Sequence, residues 1–162
     1  VSRRILGVDP GTAATGYGVL EPIPRHPGRL VECGVVRTTA RAPLPERLRT
    51  IYDGVTELIA QHRPDVLVVE TVFYGKNVRS SITLSHARGV ILLAAAEAGV
   101  RVAEYSPATV KQAVVGRGRA AKAQIGYMVQ QLLRLERPPA PADAADGVAV
   151  ALAHLLLAGR RR

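Results

Sequence analysis

The chain has 162 residues, 48% of them hydrophobic and 22% charged, which suits one compact core, leaves no room for a second domain of ordinary size and argues against disorder. Its net charge of +9 rests mostly on arginine, with only Lys76, Lys111 and Lys122 as lysines, and such an excess favours a polyanionic partner because neutralising phosphates releases counterions. No apolar run approaches the roughly 20 residues that span a bilayer, VSRRILGVDPG carries no signal-peptide stretch, and the lone Cys33 excludes an internal disulfide or a thiolate zinc site, so a cytoplasmic protein is expected.

In chain order, RILGVD (Arg4 to Asp9) is a continuous apolar run ending in an acid, which predicts a central strand buried on both faces. GYGVLE and RLVECGVVRT, separated by the proline-rich PIPRHPG, read as two further strands of a meander, with Cys33 a small buried residue in the last of them. Gly11, Gly16 and Gly18 in DPGTAATGYG read as shaping a tight hairpin; a backbone cradle for a nucleotide's phosphates is the competing reading. That stretch lacks both the P-loop lysine and the strand-to-helix setting of a dinucleotide fingerprint. Apolar residues from Leu48 to Ile59 recur at helical spacing within a helix from Leu44 to His62, broken at Pro64. PDVLVVE supplies another buried strand ending at Glu70, Ser81 to Ala98 a second helix stopped by Gly99, and VRVAEY a fifth strand. Ser106 as N-cap and Pro107 at the first helical position open a third helix. After GRGRA a fourth is expected from about Ala120 to Leu135, and after ERPPAPA a last one. The pattern predicts an α/β fold: a five-stranded mixed sheet flanked by helices, in one domain over residues 1–158 with a basic tail at 159–162.

Four of the thirteen acids occupy special places. Asp9 and Glu70 end runs of buried-strand character, where ligands of open sheets gather. Asp143 and Asp146 are three residues apart, so on a helix they share a face, and Pro138, Pro139 and Pro141 place them in its first turns. One such aspartate reads as a helix-end charge; two on one face, ahead of an apolar helix that packs on the sheet, point toward the strand ends. Gathered carboxylates repel unless a cation neutralises them, and magnesium is the hard ion that accepts carboxylate oxygens while keeping waters for a phosphate. Four can hold two ions about 4 Å apart, the clamp used for in-line phosphoryl displacement, with manganese as a substitute. His154, about 12 Å along the helix from Asp146, is too far to share a metal and reads as structural or surface-facing. His26, His62 and His86 have no informative spacing.

After Glu70, TVFYGKNVRSS puts Phe73 and Tyr74 beside Lys76, Asn77 and Arg79, a combination that stacks on unpaired bases and contacts phosphates. VKQAVVGRGRAAKAQ places Lys111, Arg117, Arg119 and Lys122 around Gly116 and Gly118, which would admit a phosphate close to the backbone.

ILGVDPGTAATGYGVL, VETVFYGKN, ARGV, VKQAVVGRGRAAKAQ and DAADGVAVALAH together resemble, in order and interval, the RuvC family of Holliday-junction resolvases over essentially the whole chain. The resemblance implies a ribonuclease H-like fold and a homodimer that nicks two opposed strands of a four-way DNA junction symmetrically, in recombination and repair, working with the RuvA and RuvB branch-migration motor. It implies that Asp9, Glu70, Asp143 and Asp146 are the metal-binding catalytic acids, that Phe73 meets unstacked bases, and that Lys111 and Lys122 serve the scissile phosphate. The apolar helix from Ser81 to Ala98 is the candidate dimer interface. The chain begins with valine, so an initiating residue or a short leader is expected ahead of it. Two other function classes remain open on the residues alone. A nucleotide-dependent phosphotransferase would use Asp9 and the Gly-Thr hairpin, and a non-catalytic junction-binding module would leave the acids idle.

Overall fold

The computed structural model describes residues 3–72, 75 and 77–159. Phe73, Tyr74 and Lys76 of the expected DNA loop, and arginines 160–162 of the expected tail, lie outside the described residues. The sheet runs in the order β3-β2-β1-β4-β5. β1 (Ile5–Asp9) and β4 (Val66–Glu70) pair in parallel at its centre, and each is buried along its first four residues, as their unbroken apolar runs require. β2 (Ala14–Ile23) pairs antiparallel with both β1 and the edge strand β3 (His26–Arg37), while β5 (Arg101–Tyr105) lies parallel to β4.

The proline-rich PIPRHPG does not separate β2 from β3 as its composition suggested. Pairing continues to Ile23 and His26, leaving Pro24 and Arg25 as the turn, and register shifts at Val19/Leu20 and Glu21/Ile23 absorb the irregular backbone. Arg25 takes a positive φ of 61° there. Cys33 is half-buried rather than buried, because β3 is the sheet's edge.

Side chains alternate across the sheet. Leu6, Val8, Val19, Leu67 and Val69 face α1 (Leu44–His62) and α2 (Val78–Glu97), forming one core with Ile51, Val55 and Ile91. Ile5, Leu20, Val66 and Val68 face α3 (Pro107–Val115), α4 (Lys122–Leu133) and α5 (Ala142–Gly159) in the other. α1 ends on Arg63 in the left-handed conformation just ahead of Pro64. α2 starts three residues before the expected Ser81, because the Asn77 side chain accepts the Ser80 N–H and caps it. The Ser106 hydroxyl accepts the Thr109 N–H at 3.1 Å at the head of α3, with Pro107 first in the helix, as expected.

α5 is buried at nearly every position from Ala144 to Ala153. Its 18 residues, with mean hydropathy 1.4, come nearer to a membrane-spanning length than the sequence reading allowed. Half of that stretch is buried against the sheet and its neighbouring helices, so α5 is the core helix that carries the two aspartates.

Candidate active site

Asp9 ends β1 and Glu70 ends β4; with Val8 registered against Val69, the two carboxyl groups leave the sheet side by side. Asp9 is also registered against Gly16 of β2. A β-carbon at Gly16 would collide with the Asp143 carbonyl oxygen, and one at Gly147 with the Tyr17 backbone. At Gly18 it would stand 2.6 Å from the Val148 Cα, and at Gly7 it would strike the Ala151 backbone. Strand glycines therefore form a trough into which the helix backbone descends, and that descent brings Asp143 and Asp146 down to Asp9. Gly16 and Gly18 lie within β2, not in a hairpin turn, so the hairpin reading fails for them; it holds for Gly11, which accepts the Thr15 hydroxyl proton at 2.7 Å through its carbonyl.

Asp9, Glu70 and Asp146 line one cleft of ≈ 240 Å³ together with Lys111, Lys122, Pro107, Val110, Ile125 and Ala149. Asp143 stands just outside this lining, near enough for its charge to act on Asp9. Burial pushes the Asp9 carboxyl up to about 7, with repulsion from Asp146 and Asp143 adding to it and Lys122 opposing. Burial likewise pushes Glu70 up to about 8, reinforced by Asp9 and Asp146 and opposed by Lys111 and Lys122. Lys122 Nζ donates to Asp146 Oδ2 at 3.1 Å, a bond that pushes the Lys122 ammonium above its ordinary range.

The donor set is three cleft-lining carboxylates, a fourth at the rim, and neither thiol nor imidazole in the lining; that chemistry suits a hard divalent cation. The upward pressure on Asp9 and Glu70 is the demand for positive charge that such an ion would meet. Among the described residues, however, no three carboxylate, imidazole or thiol groups are grouped tightly enough to hold one ion as they stand. Lys122 already stands against one of the carboxylates.

Of the other expected residues, Arg79 lies exposed in the first turn of α2 rather than in a loop, and Asn77 has its side-chain oxygen engaged as that helix's cap. Arg117 and Arg119 are exposed between α3 and α4. Gly116, at φ 83°, serves as the left-handed cap that ends α3. His154 accepts or donates a 3.0 Å hydrogen bond through Nδ1 to the Tyr105 hydroxyl, and burial followed by the charge of Arg101 lowers its pKa. It is structural, as expected. Sequence reasoning missed Gly7 and Gly147; glycine in a strand interior facing a small-residue helix is the signal that could have found them.

A family model for the crossover junction endodeoxyribonuclease RuvC matches residues 5–154. The chain belongs to the RuvC family. RuvC of Pelotomaculum thermopropionicum is 51% identical over 153 residues, spanning 93% of this chain and 91% of its own. The structure of Thermus thermophilus RuvC superposes with a TM-score of 0.87 at 36% identity, over 98% of this chain and 96% of that one. T. thermophilus RuvC solved in complex with a Holliday junction substrate gives the same TM-score at 33% identity, over 97% and 96% of the two chains. The RuvC fold here is ribonuclease H-like, a five-stranded mixed sheet with helices on both faces.

Proposed function

We propose that this protein is a structure-selective endonuclease that resolves Holliday junctions by paired symmetric nicks through metal-dependent phosphodiester hydrolysis. The observation that carries this reading is the cleft itself, where acids from β1, β4 and α5 meet two lysines from α3 and α4. Its membership of the RuvC family, and the junction held by a relative of 33% identity, support the choice of substrate. The reading takes residues 1–158 as one nuclease domain with a short basic tail, acting in the cytoplasm.

Asp9, Glu70, Asp143 and Asp146 would hold magnesium, two ions per subunit, with manganese as a substitute. The chemistry such ions would supply there is activation of a water and charge stabilisation of the leaving oxygen. The chain's own residues bind and orient the backbone. Lys111 and Lys122 face the acids across the cleft, placed to offset negative charge on the non-bridging oxygens as water attacks phosphorus in line. The bond from phosphorus to the 3′-oxygen breaks, leaving a 3′-hydroxyl and a 5′-phosphate. Arg79, Arg117, Arg119 and Asn77 would extend the surface for DNA, and the sequence pattern assigns Phe73, Tyr74 and Lys76 to DNA contact as well.

One cleft cuts one strand, so two copies related by a two-fold axis suit a junction. α2 offers the surface: Ala87, Ile91, Ala94 and Ala95 are spent on the core, while Val78, Ile82 and Leu93 are exposed along its outer face. RuvA and RuvB are the partners proposed for the assembled dimer. The test is nicking of a labelled synthetic four-way junction beside a linear duplex, with and without magnesium. Wild-type protein should nick only the junction and only with the metal, and Asp9→Asn should keep junction affinity while losing nicking. Equal cutting of junction and duplex would defeat the selectivity.

A further inference from the structure

Lys122 occupies a place that ordinary surface lysines do not. Its ammonium reaches from the first turn of α4 to Asp146 on α5, a carboxylate whose side chain is only 12% exposed, while the Lys122 side chain as a whole is 72% exposed to solvent. The pair therefore joins an exposed cation to a carboxylate that is largely withdrawn from solvent. α4 is held in place around it: the Gln124 side chain accepts the Ala121 N–H at 3.0 Å, and Ile125, Val129 and Leu133 anchor the helix in the core. Every acid of the site feels this charge, since it acts on Asp9, Glu70, Asp143 and Asp146 alike.

The choice of side chain is also specific. The chain draws nearly all its positive charge from arginine, yet two of its three lysines line this cleft and, among the described residues, no arginine does. A guanidinium locks onto a carboxylate through a planar fork; an ammonium on a four-carbon stem is a compact charge that changes partner easily.

We propose that Lys122 is the resident counter-cation of the acid cleft, holding Asp146 where a divalent ion would otherwise act and leaving it for a DNA phosphate when the ion enters. This rests on the metal-dependent reading of the site given above. Its consequence is linkage. An ion that displaces Lys122 frees a cation for the substrate, and a phosphate that draws Lys122 away frees a carboxylate for the ion, so each raises the affinity of the other. Metal uptake before DNA arrives is correspondingly weakened.

The test is manganese binding to the metal-free protein without DNA, followed by the loss of free-ion EPR signal, for the wild type, Lys122→Gln and Lys111→Gln. Lys122→Gln should bind manganese roughly fivefold more tightly or better, and Lys111→Gln should gain distinctly less, since no hydrogen bond joins that lysine to Asp146. Equal affinity in wild type and Lys122→Gln, or equal gains in both variants, overturns the proposal and leaves the metal site standing. No uptake by any of the three overturns the metal site as well. A second measurement needs no altered core: in wild-type protein labelled with 15N-lysine, the Lys122 ammonium resonance, assigned by its loss in Lys122→Gln, should move toward that of a solvated lysine as magnesium is added. A resonance that stays put while the ion binds refutes the exchange.

Discussion

Gly16→Ala should separate folding from catalysis more sharply than any change to an acid. The added methyl would sit at about half the normal carbon–oxygen contact distance from the Asp143 carbonyl, a backbone atom that no rotamer change can remove. Either β2 or the first turn of α5 must retreat by more than about 1 Å. β2 is paired on both sides, to β1 and β3, so the helix end is the part that yields. Overpacking of this kind costs about 1–3 kcal/mol, and for a chain of this length each kcal/mol lowers the melting temperature by roughly 2–4 °C. The retreat carries Asp143 and Asp146 away from Asp9, and a 1 Å misplacement in a reacting site costs on the order of 100-fold in rate. The expected result is a folded protein melting several degrees lower, with junction affinity by gel shift nearly intact and magnesium-dependent nicking reduced about 100-fold. Gly126→Ala is the matched control. Its β-carbon meets nothing within 4 Å, so the same substitution should stabilise α4 by up to about 1 kcal/mol and leave nicking unchanged. Wild-type nicking and melting in Gly16→Ala would refute the claim that the strand glycines set the height of α5.

Without metal, stability should fall as pH rises through neutrality. Asp9 and Glu70 have native pKa values raised to about 7 and about 8, so between about pH 4 and pH 8 the native state binds more protons than the unfolded one and loses stability as they leave. The loss is on the order of a few kcal/mol shared by the pair; urea titrations in chelator at pH 5 and pH 8.5 should show it, Asp9→Asn should shrink it, and equal stabilities at the two pH values would contradict it. Glu32→Ala removes the partner of the Tyr17 hydroxyl at 2.8 Å and of His62 Nε2 at 3.0 Å, on the side of the sheet away from the cleft. Denaturation should report a loss of about 1–3 kcal/mol with nicking per folded molecule unchanged. Arg25→Gly, at a φ of 61° in the β2–β3 turn, should raise stability by about 1 kcal/mol, read as a higher melting temperature.

The element order and the identity of the cleft's acids were legible because each acid marks a change in local chemistry. Asp9 and Glu70 terminate apolar runs, and Asp143 and Asp146 stand between a proline-rich entry and an apolar helix. Local signals also placed the head of α3, where Ser106 and Pro107 act within one turn. What escaped were relations between distant segments. Gly16 looks like a hairpin glycine until α5 arrives from more than a hundred residues away, and the bond from Lys122 to Asp146 has no spacing that announces it. The β2–β3 succession was legible but its turn is shorter than the proline-rich composition suggested, because pairing with the neighbouring strand carried both segments past their prolines to Ile23 and His26.

The same geometry that makes the cleft also makes it demand a cation. Four acids on separate surface loops would each ionise in water at ordinary pH and need nothing. Here the glycine trough lets α5 sink onto the sheet, the sunken helix brings Asp146 and Asp143 against Asp9, and burial together with that repulsion raises the free energy of the charged state. A protein can relieve such a site with protons, with its own ammonium groups or with a metal. Protons would silence the carboxylates as ligands, and a locked arginine would block the cleft. A lysine ammonium against Asp146 offsets part of that repulsion and can yield to a divalent ion, so packing at Gly16 and exchange at Lys122 are two ends of one electrostatic argument.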